Sequence, residues 1–504
     1  MHRDKAAAAS ARPRTSTETS ADWKARVLLI ASALILLVSV AIVSWRAFAA
    51  SQGGDNGGIT VEYTTEPGVE RGVGIVDAPL QVAVRVPWSD GRQETIISNM
   101  TLRLLDENGQ PATFGGQPAE ALPLAPTFKI DVWEYRGSVP GVPGRYHPRL
   151  EWQFLYGDQK VNSAELPNAV LEVRPEPGPP LVSGYAFADQ SNLWLLSTDL
   201  SKQRRRTFYP AMTEYADKPA WSPDGSTIAY TYSPATPPDQ LPSTDVWIIR
   251  PDGTDARALV THEENEAVYD PVWSPDGRYV YFTSEQLNVP LPESGLPESV
   301  RRIDRADSAD GRREQIVTSA HMPHLVGLPD GTVRMVYLEE VPSEEAIYTG
   351  SIFDRLVIAD ADGSNARTLV DIGRFPDMYA PRLSPDGKWV VFDAVNVPTG
   401  GGGATSGTPD FLKWLLFEPE TASAHGLPWD LYLVSTSGGP VTRLTTMVPD
   451  EDQPVAVWLD SNTIVFNGIT GMYRLKITED GQPAGEPEKI HAGAPHGGLS
   501  WHGP

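Results

Sequence analysis

One twelve-residue phrase occurs three times in the chain: PAWSPDGSTIAY from Pro219, PVWSPDGRYVYF from Pro271 and PRLSPDGKWVVF from Pro381. Each reads as a hairpin. An apolar strand runs into a Pro-Asp-Gly turn and a second strand returns. Proline presets φ for the turn, aspartate bonds nearby backbone, and glycine accepts positive φ. A hairpin written at a fixed period specifies an array of like units rather than one irregular core.

The turn prolines Pro223, Pro275 and Pro385 lie 52 and 110 residues apart, so a worn copy is expected midway. GLPDGTVRMVY, around Pro329-Asp330-Gly331, fills that place and makes the spacings 52, 54 and 56. A fifth copy, AVWLDSNTIVF, keeps Trp458 and puts Asn462 at the glycine position; a long insertion between Thr399 and Pro428 delays it. Second hairpins follow the first, as in DVWIIRPDGTDARALV and RLVIADADGSNARTLV. Four strands in roughly 54 residues make a β-propeller blade. Residues 181–209 supply three outer strands without an inner one, and HGGLSWHGP supplies an inner strand with nothing after it. Joined, they make a sixth blade and remove the open edges of the array.

The WSPDG units with their DxDGxxxRxL hairpins resemble the TolB-like propellers over about residues 181–504. That resemblance implies a binding module. The same blades occur in a periplasmic protein-binding component and beside the hydrolase domain of prolyl-oligopeptidase-type peptidases. The segments that precede residue 181 depart from TolB itself.

Val27–Trp45 is an uncharged apolar run of the length that spans a bilayer. Six of the seven basic residues among the first 50 precede it, which predicts a cytoplasmic tail over 1–26, a transmembrane helix over 27–45, and everything after Ala50 outside the cytoplasm. AFAAS after the run also offers a signal-peptide cleavage site. A Gly-rich spacer occupies 46–58. Residues 59–174 alternate with period two in short runs such as LQVAVRV and RLEWQFLYG, which predicts an Ig-like β-sandwich; RPEPGPP then provides a proline linker over 175–180. The expected fold is therefore all-β: a six-bladed propeller over 181–504, an Ig-like sandwich before it, and one N-terminal membrane helix.

The net charge of −24 disfavours nucleic acid, whose binding depends on neutralised phosphates. No cysteine is present, so disulfides and thiolate chemistry are excluded. The Gly-x-Ser-x-Gly elbow of a serine hydrolase, a P-loop and a dinucleotide fingerprint are all missing, and HEENE from His262 lacks the second histidine of a zinc helix. No cofactor or metal is expected. The loops that do not repeat are the candidate binding face, in the connections between blades and the insertions within them. Asp217, His262, Asp270, His321, His324, Asp377, Asp450 and Asp452 represent the connections. Phe411 and Trp414 represent TPDFLKWLLFEP, which carries a helix start signal. The expected function is non-catalytic binding of a protein, peptide or glycan in the cell envelope. The rival is a glycan hydrolase or lyase that uses mouth carboxylates such as Asp270, Asp377 and Asp452.

Overall fold

A computed structural model describes residues 58–503 except 67, 88–95, 120, 130, 157–159, 211–212, 238–241, 291–296, 342–352, 396–428, 447–453, 469 and 493–497. The expected membrane helix and the insertion helix lie outside the described residues. Among those described there is no helix, and none long and apolar enough to cross a membrane.

Residues 58–174 form an all-β domain. Nine strands join in one hydrogen-bonded sheet, and Val73–Ile75 pairs in parallel with Leu171–Arg174. Period-two alternation does what the sequence predicts. In Pro79–Arg85 the buried positions are Leu80, Val82 and Val84, and they share one core with Met100, Leu102, Leu104 and Leu150.

Six four-stranded antiparallel sheets follow. Blade two comprises Tyr215–Trp221, Ile228–Ser233, Asp245–Ile249 and Arg257–Val260, inner strand first. Blades three to six begin with inner strands Glu266–Trp273, Ala320–Gly327, Met378–Leu383 and Ala456–Asp460. Blade one is split as expected: Leu499–His502 pairs with Gly184–Phe187, and Asn192–Leu196 and Gln203–Arg205 lie outside it.

The repeated phrase has a local explanation. Ser222 Oγ donates to Asp224 Oδ1 at 2.7 Å, Asp224 Oδ1 accepts the Ser226 N–H at 3.0 Å, and Ser222 Oγ accepts the Thr227 N–H at 2.9 Å. Gly225 holds φ +68° at the turn, and a side chain there would also strike His502. The same bonds recur around Asp276 and Asp386. The tryptophan that precedes the turn wedges between blades: Trp221 packs with blade one, Trp273 with blade two, and Trp458 with blade five.

The two domains meet at Gln203–Phe208, which the sequence reads only as part of an outer strand of the split blade. Arg204, with 1% of its side chain exposed, pairs with Glu66 and lies 3.3 Å from Glu176. Arg205 N–H reaches the Asp77 carbonyl at 2.9 Å, and Phe208 packs against the first domain's core.

Candidate functional site

Each of the three twelve-residue phrases begins with a proline, and the structure explains why. In blades two to five the inner strand carries a β-bulge at the residue before that proline, at Lys218, Asp270, Met322 and Ala380. All four hold positive φ, between 45° and 55°, in a region that non-glycine residues rarely adopt. Strained bulges of this kind re-aim side chains, and they concentrate at functional sites. Here they form a partial ring around the propeller axis. The ring is fastened between blades: Asp270 N–H donates to Thr231 Oγ1 at 3.2 Å and Met322 N–H to Thr283 Oγ1 at 3.0 Å.

Inside this ring lies a cavity of about 410 Å³, lined by the inner strands of all six blades. Its walls are largely apolar, with Trp221, Trp273, Trp458 and Trp501 contributing, and its charged residues are Lys218, Asp270 and Arg382. Lys218 Nζ bonds the Tyr379 hydroxyl and sits 4.4 Å from that ring's centroid. Burial lowers the lysine's proton affinity, but Tyr379 and the carboxylates of Asp270 and Asp217 more than reverse this, so the ammonium is held above the usual lysine range. Burial raises the Asp270 carboxyl against the opposing pull of Lys218 and Arg382.

Arg382 donates from Nη1 to the Pro381 carbonyl at 3.1 Å. Arg382 lines the cavity, and its charge acts on Asp270, His324 and Asp393, which stand on blades three, four and five. Asp393 is wholly buried, and neither of its oxygens has a hydrogen-bond partner among the described residues. It occupies the ladder position opposite Tyr379 that Thr231 and Thr283 occupy in blades two and three.

The sequence-selected residues divide into separate places. Asp270 and His324 line the cavity. His324 Nδ1 accepts the Leu383 N–H at 3.1 Å, and burial and Arg382 push its pKa down to about 3, so it is a neutral bracket between blades four and five. Asp217 Oδ1 accepts the Gly498 N–H at 2.9 Å and ties down the closing strand. His321 is buried with Nε2 3.2 Å from Asp354 Oδ2 and does not line the cavity. His262 lies apart from the cavity, bonded through Nδ1 to Asp245 at 2.6 Å, and Asp377 is exposed where blade five begins. Phe411, Trp414, Asp450 and Asp452 fall outside the described residues. Sequence reasoning missed Lys218, Tyr379 and Arg382. The signal was available in DKP, YAP and PRL, where a variable residue stands beside each repeated proline.

Among the described residues no group of three or more histidine, aspartate or glutamate side chains is placed to hold a metal ion. No protein-family profile matches the chain. A curated relative, the uncharacterized peptidase YuxL of Bacillus subtilis, is 27% identical over 194 residues, which is 35% of this chain and 29% of the relative. The chain therefore spans less than a third of that relative's length. Among solved structures, the propeller domain of the Trilobed protease from Pyrococcus furiosus aligns at 10% identity and TM-score 0.30 over 79% of this chain and 85% of its own. Oligogalacturonate lyase from Vibrio parahaemolyticus aligns at 11% identity and TM-score 0.34 over 87% and 86%. Likeness at this level assigns no activity.

Proposed function

We propose that the chain is a non-catalytic binding protein of the TolB-like propeller type. In this reading it is held to the membrane by residues 27–45, raised from it by an Ig-like domain, and binds a protein, peptide or glycan of the cell envelope at the propeller's axial face. The observation that carries the binding reading is the ring of strained bulges. Four successive blades hold unfavourable backbone to present Lys218, Asp270, Met322 and Ala380 to one cavity. An aromatic, mostly preformed pocket with a few placed charges is how proteins hold ligands.

The test is affinity capture from envelope membranes with the full chain, beside a Lys218→Ala/Tyr379→Ala variant whose folding is checked by circular dichroism. A partner retained by the first and lost by the second supports the axial face. Equal recovery by both sinks it. The relative's name raises a peptidase reading, and turnover of fluorogenic peptides by the purified full chain would overturn the non-catalytic assignment.

A further inference from the structure

Arg382 and Asp270 bear opposite charges and face one cavity, yet no ion pair joins them among the described residues. The Asp270 carboxylate makes no hydrogen bond there, and its Oδ2 is enclosed. Among the described residues the Arg382 side chain bonds a carbonyl of its own strand. Charged groups that are half-buried against a cavity normally find partners. The cavity that both line is walled in part by Trp221, Trp273, Trp458 and Trp501.

We propose that this cavity takes a small zwitterion with an apolar side chain, an α-amino acid or dipeptide, its carboxylate on Arg382 and its ammonium on Asp270. This rests on the binding reading above and narrows it to a ligand class. Three observations converge. The volume of about 410 Å³ lies near the lower end of small-molecule sites, which run from about 300 to 1,000 Å³. The ring already holds Lys218 and Asp217 beside Asp270, so a ligand without net charge enters with least electrostatic penalty. The tryptophan walls supply apolar area for a side chain and a face for the ammonium. Arginine suits the carboxylate end because its planar fork matches that group.

The experiment is titration of the full chain, followed by tryptophan fluorescence and calorimetry, with phenylalanine, glycyl-phenylalanine, N-acetyl-phenylalanine and phenylalanine amide. Either free zwitterion is expected to bind about tenfold to a hundredfold more tightly than the forms blocked at one end, the range of one charge-assisted hydrogen bond. Arg382→Met should erase the preference for acid over amide and leave the preference for amine over acetyl. Asp270→Asn should do the reverse. If a variant does not fold, the comparison on the unaltered chain decides alone. Equal binding of free and blocked forms, preferences that survive the substitutions, or no binding of the panel at millimolar concentration each overturn the proposal. If membrane capture still depends on Lys218 and Tyr379 while the panel fails, only the ligand class falls; if both fail, the binding reading falls with it.

Discussion

Trp273 donates its indole N–H to the carbonyl of Ala220, one blade back, at 3.0 Å. Trp458 does the same to Arg382 at 3.0 Å, whereas the equivalent nitrogen of Trp221 is buried without a partner among the described residues. The three tryptophans of one motif therefore differ in one bond. Trp273→Phe should cost about 2–4 kcal/mol, from lost apolar area and an orphaned carbonyl, and Trp221→Phe about 1–2 kcal/mol less. Urea midpoints of the two variants check this. An equal cost would show that the interblade bond contributes nothing.

Asp393 stands where blades two and three have threonine. Burial raises its pKa well above the usual aspartate value. A carboxyl raised on folding contributes its full stability below the unfolded pKa, near 3.9, and loses it as pH climbs through the folded value. At neutral pH the residue is thus a burden. Asp393→Thr should raise the denaturation midpoint at pH 7, and the gain should shrink toward zero near pH 4. A gain that does not depend on pH would assign the effect to packing.

His324 has the opposite sign. Its folded pKa of about 3 lies below the ordinary value near 6.5, so the unfolded chain binds the extra proton first. Stability from this group is present above pH 6.5 and is lost progressively as pH falls toward 3. His324→Asn, which keeps an acceptor for the Leu383 N–H, should flatten the acid limb of the stability curve. Unfolding scans at half-unit pH steps provide the measurement.

Arg204 is the bolt between the domains. Arg204→Ala leaves Glu66 and Glu176 close together without their shared cation and should cost about 3–5 kcal/mol. Calorimetry should show the propeller and the 58–174 domain unfolding in separate steps. A single transition shifted to lower temperature would mean that Phe208 and the backbone bond to Asp77 suffice to couple them.

How much of this was legible follows from what each residue answers to. Pro223-Asp224-Gly225 serves a turn closed within six residues, so its pattern survives in sequence and the blades can be counted. The hairpin period even located the split blade. Lys218 and Tyr379, in contrast, stand 161 residues apart and meet only because the ring curls. No local periodicity records that meeting. The selected residues followed a rule about connections between blades, which reached Asp270 and His324 but stopped one or two positions short of Lys218 and Tyr379, at or beside bulges inside the strands. Gln203–Phe208 read only as part of an outer strand of the split blade, and its contact role became visible only once a second domain lay against it.

The split blade also sets an order of events. Gly498 N–H reaches Asp217 across 281 residues, and Ser500 Oγ receives the Trp221 N–H across 279. Contacts so distant along the chain cost the most loop entropy and form late, after the four uninterrupted blades between them have their own hairpins. Until Leu499–His502 docks, blade one lacks its inner strand and blade six faces no neighbour on that side. Both are raw edges open to mispairing. The strand Leu499–His502 thus acts as a latch, and the axial cavity, to which Leu499, Ser500 and Trp501 contribute wall, comes into being only when the latch closes.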